Sequence, residues 1–317
     1  AAGLLTLAGL LLLSLLWVLP LLRPAAPAQP TATAIPRWQA APDLPTPLDA
    51  PAAAAYDSVI YLFGGDRAWR YLPLAEQWET LAVPPANLSG AQAAVLGGKT
   101  YLTGGCAAPG QVWACSPAED ASQPTASLPE ALCDSALAPA DGRLYLFGGW
   151  DGQRESAAVW AYDPAADAWA AAASLPRALR GASAVPLEGQ LLLIGGQDSA
   201  AVWLFNPQRA GEGQSAWQAR ANLPQARHHS AAAVLAGQVY LFGGSLGDGS
   251  PAPALQYSPA QERWSRVEAP TGLEGGTPGL AAVETDLHLL GGLCGGQPGK
   301  QHFVSRAVYT ILVPLIP

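Results

Sequence analysis

Two adjacent histidines, His228 and His229, are the residues in this sequence best suited to chemistry near neutral pH, whereas His288 and His302 are isolated. A histidine can accept or donate a proton, and proton transfer to a bound ligand needs only an acid and a base. Adjacent residues of a strand point to opposite faces, so we expect the imidazoles of the pair to diverge rather than to bind one metal ion. The sequence has no Cys-x-x-Cys pair, phosphate-binding loop, nucleophile elbow or dinucleotide fingerprint, and we predict no metal and no cofactor.

Polar residues recur at one place in a repeated pattern, four residues after a proline. This fourth position is occupied in turn by Asp49, Ser89, Cys133, Arg180, His228 and Glu274. The third position is leucine in five of the six segments, so the variation is confined to the fourth. A ring of such residues favours a site for a polar or charged small ligand or a peptide. The alternative is a solvated rim that satisfies backbone groups at strand ends.

The pattern is organised by glycine pairs that each close a short apolar run. They lie at Gly64-Gly65, Gly104-Gly105, Gly148-Gly149, Gly195-Gly196, Gly243-Gly244 and Gly291-Gly292. Successive pairs are 40, 44, 47, 48 and 48 residues apart. A second register agrees, because Trp38, Trp78, Trp169 and Trp217 are each followed seven residues later by a proline. A period of this size indicates a propeller or a solenoid.

Over residues 37–313 the pattern resembles the kelch repeat. The resemblance rests on the glycine pairs and on the spaced pairs Tyr71/Trp78, Tyr162/Trp169 and Tyr257/Trp264. It implies an all-β fold, a six-bladed β-propeller in which each blade is a four-stranded antiparallel sheet. The second segment departs from the family with Cys115 and Ser122, and the fourth has Phe205 for tyrosine. The arginine that the family carries before its first strand is clear only at Arg227.

The two ends of the repeat are each incomplete. Trp38 matches an outer strand with no blade before it, and the last segment offers a third strand, residues 305–313, without a tryptophan strand after it. We therefore predict that the strand around Trp38 completes the sixth blade. Sharing one blade between both ends closes the ring and removes two exposed sheet edges.

Propellers bind ligands at the mouth of the central channel, where the polar ring and the loops after the glycine pairs meet. The predicted ligand-binding residues are Asp49, Ser89, Arg180, His228, Glu274, Trp150 and Asp151. Trp150 follows its glycine pair directly. It is either an aromatic side chain folded onto the rim or a stacking surface for a sugar or a protein partner.

Four cysteines are present, at positions 106, 115, 133 and 294. In the kelch topology Cys106 ends the second strand of one blade, and Cys133 begins the first strand of the next on the same face. The resemblance thus implies a Cys106–Cys133 disulfide, with free thiols as the alternative. Cys115 replaces a packing tyrosine and is expected to be a buried, small apolar residue.

The N-terminal residues differ in composition from the repeat. Residues 4–22 carry no charge and are rich in leucine, and residues 1–22 suffice to cross a bilayer of ~30 Å. We predict a transmembrane anchor there, with a secretory signal peptide or a buried helix as alternatives. Residues 23–36 contain four prolines and form an extended linker. Residues 37–317 form the propeller, which we expect outside the cytoplasm on a single-pass membrane protein.

Composition narrows the function. A net charge of −8 argues against nucleic acid as a partner. We expect a non-enzymatic propeller that binds an unidentified protein or carbohydrate, as the sensing part of a longer receptor or regulator where the chain extends upstream. A carbohydrate-active enzyme is the alternative. Some six-bladed kelch proteins resemble N-acetylneuraminate epimerases, and His228, Glu274, Arg180 and Asp49 could supply the acid and base for mutarotation. A third alternative is a structural spacer.

Overall fold

The computed structural model describes residues 38–82, 87–116, 119–271, 276–294 and 296–306. Within these ranges, no helix is long and apolar enough to span a bilayer. The predicted anchor (residues 1–22) and linker (residues 23–36) lie outside the described residues.

Six four-stranded antiparallel sheets follow one another along the chain, which confirms the predicted all-β, six-bladed propeller. Blades 1 and 2 consist of Ala52–Tyr56, Val59–Gly64, Arg67–Leu72 and Gln77–Leu81, then Gln92–Leu96, Lys99–Thr103, Val112–Ser116 and Ala121–Pro124. Blades 3 and 4 consist of Ala136–Ala140, Arg143–Phe147, Val159–Asp163 and Ala168–Ala171, then Ser183–Leu187, Gln190–Ile194, Val202–Phe205 and Trp217–Ala219. Blades 5 and 6 consist of Ala231–Leu235, Gln238–Phe242, Leu255–Ser258 and Arg263–Arg266, then Gly279–Val283, Asp286–Leu290, His302–Arg306 and Trp38–Ala40.

Short elements complete the described structure. Two-stranded ribbons pair Arg227–His228 with Ser245–Leu246, and Leu293–Cys294 with Gln297–Pro298. Short 3-10 helices span Pro207–Arg209, Gly213–Ala216 and Pro259–Gln261. The first ribbon carries His228, one of the two adjacent histidines.

The ring closes as predicted, through the N-terminal strand. Trp38–Ala40 pairs antiparallel with His302–Arg306, and Trp38 lies opposite Ser305. This last strand begins three residues before the predicted start at Ser305, because His302 already pairs with Leu290. The remainder of the predicted strand, residues 307–313, lies outside the described residues.

Strands that are apolar on both faces pack between neighbouring blades. In blade 3, Tyr145 and Phe147 lie against Phe205 of blade 4, whereas Leu144 and Leu146 belong to the cluster shared with blade 2. Each of these four side chains is at most 1% exposed. Burying such a side chain stabilises the fold by roughly 1.5–3 kcal/mol, so these interfaces hold neighbouring blades against each other.

The tryptophans of the outer strands each make a hydrogen bond to the backbone of a neighbouring segment of the chain. Their indole N–H groups donate to backbone carbonyls in Trp78–Pro42, Trp169–Ala126, Trp217–Ala173, Trp264–Ala221 and Trp38–Glu268, at 2.9–3.2 Å. Blade 2 has Ser122 at this place. There the Asp120 carboxylate accepts a hydrogen bond from the backbone N–H of Ala82 at 2.9 Å, which likewise connects neighbouring segments.

Candidate functional site

A central cavity of about 480 Å³ lies where the first strands of the blades converge. Its wall is built largely from small residues, among them Ala52, Ala93, Ala184, Ala231 and Gly279. Larger side chains at these places would fill the axis, so the small residues leave room for a ligand.

In the described part of the chain, the turns that lead into the first strands of blades 1 to 5 share one backbone conformation. At the fifth position after the repeat proline, φ is 53° at Ala50, 71° at Gly90, 56° at Asp134, 63° at Gly181 and 56° at His229. All five residues line the cavity. This left-handed conformation suits glycine, while aspartate and histidine tolerate it better than most other residues. A strained backbone that places polar side chains in a cavity is a feature of functional sites.

Asp134 and His229 are brought together across the blade between them. Nε2 of His229 lies 2.6 Å from Oδ1 of Asp134. The backbone N–H of His229 donates to the carbonyl of Gly181, and the N–H of Gly181 donates to the carbonyl of Asp134. A Cβ at Gly181 would lie 3.1 Å from Nε2 of His229, so the glycine leaves space for the imidazole.

The two adjacent histidines also meet, which shows that the predicted divergence is wrong. Nδ1 of His228 lies 2.9 Å from Nδ1 of His229. The prediction assumed that an extended strand continues through both residues, but the left-handed conformation of His229 breaks the alternation. A group of three or more side chains able to hold one metal ion is not found in the described part of the chain.

The charge state of His228 is set by its surroundings. Its partial burial lowers the pKa of its imidazole, and the neighbouring His229 and Arg180 lower it further, whereas Asp134 and Asp198 act in the opposite direction. His228 is therefore neutral at pH 7 and has one nitrogen free of a proton.

Arg227 supports this turn from inside the protein. It is 2% exposed and donates to Oγ of Ser230 at 3.0 Å, to the carbonyl of Pro253 at 2.7 Å and to the carbonyl of Gly243. Burial lowers the pKa of the guanidinium to about 10, so it stays charged at pH 7. Arg227 thus fixes the backbone immediately before both histidines.

Replacing Arg227 by alanine is expected to lower the free energy of unfolding by about 2–3 kcal/mol, because two buried carbonyl groups lose a charged donor. Urea unfolding followed by tryptophan fluorescence measures this. Arg263→Ala, at an exposed position of blade 5, is the control and should change stability by less than about 0.5 kcal/mol. Equal stabilities of the two variants would contradict the role given to Arg227.

The predicted ring residues are placed in different ways. Asp49 and Ser89 line the cavity. His228 lies beside the lining residue His229, and the guanidinium of Arg180 lies 4.5 Å from the ring centroid of Trp150, in a cation–π arrangement.

The remaining predictions concern the rim. Asp151 is exposed and accepts the backbone N–H groups of Gln153 and Arg154, which hold the pKa of its carboxyl below the usual range. The half-buried Trp150 exchanges two backbone hydrogen bonds with Cys133. Glu274 lies outside the described residues. The ligand-binding role of all these residues stays a prediction.

Sequence reasoning missed Asp134 and His229 as a pair. The sequence feature that could have found them lies five residues after each repeat proline. The six segments have Ala50, Gly90, Asp134, Gly181, His229 and Gly275 at this fifth position. Three of the six are glycine, as a left-handed turn requires. The two polar exceptions are the residues that meet in the cavity.

A disulfide joins Cys106 to Cys133, the pair that the kelch resemblance implied. Cys106 lines the cavity, and Cys133 immediately precedes Asp134. Cys115 is a buried free thiol whose pKa is raised to about 12 by burial, so it is unreactive at neutral pH.

Comparison with known proteins supports the fold. A sequence family described as the kelch motif matches residues 131–176, which contain Cys133, Asp134 and blade 3. A solved structure titled "Structure of YjhT" is similar with a TM-score of 0.71 and 16% sequence identity, over 83% of this chain and 95% of that chain. At this identity the similarity shows a shared fold alone. No protein of curated function matches the sequence.

Proposed function

We propose that this six-bladed β-propeller, which resembles kelch-repeat proteins, binds a small polar ligand at the mouth of its central channel. The observation that carries this proposal is the pairing of Asp134 with His229 at the edge of the cavity. Two residues from different blades are held there in a conformation that glycine would adopt with less strain. A turn with only a structural role would gain nothing from having aspartate or histidine there in place of glycine.

The size and polarity of the cavity fit such a ligand. Small-molecule sites usually enclose about 300–1,000 Å³, and this cavity of about 480 Å³ lies within that range. Its mouth offers the carboxylates of Asp49 and Asp134, the imidazole of His229 and the hydroxyl of Ser89. Groups of this kind suit a compact ligand with several hydroxyl groups, such as a sugar, or the polar end of a peptide.

A carbohydrate-active enzyme is the second candidate, favoured by the 2.6 Å contact between His229 and Asp134. A histidine oriented by a carboxylate is a common arrangement for general acid–base catalysis. Sugar mutarotation would require no cofactor. We rank it second because a binding site would use the same polar groups without a chemical step.

The cellular setting that we propose is extracytoplasmic, with residues 1–22 as the membrane tether and the propeller as a binding module for a protein or carbohydrate partner. The Cys106–Cys133 disulfide supports this proposal, because disulfides persist mainly in oxidising compartments.

A thermal-shift screen of the full chain, in detergent where needed, tests the binding proposal. The panel contains D-glucose, N-acetyl-D-glucosamine, N-acetylneuraminate, short peptides and divalent cations. A ligand at a hundred times its dissociation constant should stabilise the protein by about 2.7 kcal/mol. The shift should disappear in Asp134→Gly and His229→Gly, which keep a residue suited to the turn. It should persist in Asp141→Gly, the matched control, because Asp141 is an exposed aspartate with a φ of 50° that does not line the cavity.

Two results would contradict the proposal. The absence of a shift with the whole panel would leave the structural role as the better explanation. A shift that survives in both glycine variants would place the site elsewhere. The enzyme candidate has its own measurement, the anomer-exchange rate of the same sugars by NMR. Rates equal to those in protein-free buffer would exclude mutarotation of these sugars.

A further inference from the structure

We propose that the central cavity selects a ligand with a positive charge, such as a sugar that carries a primary ammonium group, and disfavours acidic ligands. The inference rests on the proposed binding function and adds the charge of the ligand. It follows from the ionisable side chains in the wall of the cavity and from the places that the nearby arginines take.

The ionisable residues in the wall of the cavity are predominantly acidic. Among the described lining residues, Asp49 and Asp134 carry carboxylates and His229 carries an imidazole, while lysine and arginine are absent. Aspartate is negatively charged at neutral pH. The wall therefore has two negative charges when His229 is neutral and a net charge of one negative when His229 is protonated, so the sign is the same in both cases. Residues 272–275, which lie outside the described residues, contain no lysine or arginine either.

Both carboxylates are able to accept hydrogen bonds from a ligand. Asp49 is exposed, and no hydrogen bond or ion pair of its carboxylate occurs within the described part of the chain. The partly buried Asp134 contacts His229 through Oδ1, at 2.6 Å, and a carboxylate accepts through its second oxygen as well. An ammonium group has three N–H donors and no acceptor, so it complements such a pair of carboxylates.

The arginines nearest to this wall in the sequence are engaged away from it. The guanidinium of Arg180 lies 4.5 Å from the ring centroid of Trp150, and its Nε lies 3.9 Å from Oε1 of Glu155. The guanidinium of Arg227 donates to two backbone carbonyls inside the protein. Neither arginine is among the described residues that line the cavity, so neither is placed to pair with an acidic ligand there.

The apolar part of the wall strengthens the effect of its charges. A cleft that is lined by charge of one sign and has walls of low dielectric constant focuses the electric field and concentrates ions of the opposite sign. Alanines supply much of this wall, and the net charge of −8 on the whole chain acts in the same direction. An ammonium-bearing ligand is therefore attracted to the cavity, whereas an acidic sugar such as N-acetylneuraminate is repelled.

The charge of the cavity can be measured without any ligand. In the full chain, Ala231→Cys places a thiol in the wall. Its reaction rates with methanethiosulfonate reagents that carry a trimethylammonium or a sulfonate group are followed by mass spectrometry of the modified peptide. The ratio of the cationic to the anionic rate should be about tenfold higher than in Leu74→Cys, whose position is fully exposed and outside the cavity. Adding Asp49→Asn should lower the ratio at position 231, and adding Asp141→Asn, at an exposed position outside the cavity, should not.

Ligand selection is then tested with three hexoses that share one ring and differ in charge. D-glucosamine, D-glucose and D-glucuronate are titrated into the full chain by calorimetry at pH 6.5, below the pKa of about 7.7 of an α-amino group. D-glucosamine should bind about tenfold more tightly than D-glucose, because hydrogen bonds to charged groups are stronger than those between neutral groups. D-glucuronate should bind more weakly than D-glucose.

Variants assign the selection to the carboxylates. Asp49→Asn and Asp134→Asn each remove one charge, and asparagine tolerates the left-handed backbone at position 134. Each variant should reduce the preference for D-glucosamine over D-glucose, whereas Asp141→Asn should retain it. Added salt should weaken the binding of D-glucosamine and leave that of D-glucose nearly unchanged, since salt screens charges.

The two proposals fail in distinguishable ways. Equal rate ratios at positions 231 and 74, or D-glucose bound as tightly as D-glucosamine, overturn the selection by charge, and binding of D-glucose would still support the proposed function. A cationic preference of the thiol at position 231 with no binding by any hexose or any member of the panel overturns the proposed function, and with it the selection of a ligand by this cavity.

Discussion

Lowering the pH from 7 to 5 is expected to reduce the free energy of unfolding by about 4 kcal/mol through His288 and His302, about 2 kcal/mol from each. Both side chains are almost fully buried in the sixth blade, at 3% and 1% exposure. Burial lowers the pKa of His288 to about 4, and burial together with the charge of His288 lowers that of His302 to about 3.

The direction of this pH effect on the free energy of unfolding follows from proton binding. In the unfolded chain both histidines take up a proton near pH 6.5, whereas in the folded protein they stay neutral to about pH 4 and pH 3. Between these values the unfolded state binds more protons, so acid favours unfolding. Carboxylates have ordinary pKa values near 4, so they contribute little between pH 7 and pH 5.

The contacts of these histidines place the effect at the closure of the ring. Nδ1 of His302 lies 3.2 Å from the carbonyl of Pro42, which also accepts the indole N–H of Trp78. Nε2 of His302 in turn lies 3.0 Å from Nδ1 of His288. Pro42 follows the N-terminal strand, so the buried pair lies where the segment that closes the propeller is attached.

Urea unfolding at pH 7 and pH 5, followed by tryptophan fluorescence, measures the effect. His302→Phe should lose about half of the difference between the two pH values, whatever its stability at pH 7, because an apolar ring has no proton to bind. His229→Gly, which removes an exposed histidine, should keep nearly all of the difference. Equal stability of the wild-type protein at the two pH values would show that the buried pair does not behave as described.

The fold could be predicted because the repeat is encoded twice, in the glycine pairs and in the tryptophan–proline spacing. A pair such as Gly195-Gly196 is required by close backbone approach, since a Cβ at Gly195 would lie 2.6 Å from the carbonyl oxygen of Arg227. Even the closure by the strand around Trp38 follows from an unpaired strand at each end of the repeat. Local sequence and global architecture agree, so the pattern could be interpreted without coordinates.

The site was harder to predict because it depends on backbone conformation and register. The polar residues four positions after each repeat proline located the turn. They did not reveal the left-handed backbone at the fifth position, which places Asp134 and His229 in the wall of the cavity. The pairing of His288 with His302 was equally hidden, since the two are fourteen residues apart. They meet because His288 lies opposite Val304, which makes His302 its diagonal neighbour on the same face of the sheet.

Breaking the Cys106–Cys133 disulfide is expected to lower the free energy of unfolding by about 3–4 kcal/mol. The bridge spans a sequence separation of 27 and encloses the two outer strands of blade 2, Val112–Ser116 and Ala121–Pro124. Its loss lets this loop explore many more conformations in the unfolded chain. In the folded state the turn keeps other supports, because Cys133 exchanges two backbone hydrogen bonds with Trp150.

Stability and ligand binding should therefore respond differently to reduction. Dithiothreitol should lower the urea midpoint of the wild-type protein, and the Cys106→Ala/Cys133→Ala variant should be equally unstable with and without the reductant. A ligand found in the screen should still stabilise the double variant, because the backbone bonds to Trp150 keep Asp134 near His229. A reductant effect of equal size in the double variant would assign the loss of stability to another group. Loss of ligand binding in the folded double variant would instead show that the disulfide itself positions Asp134.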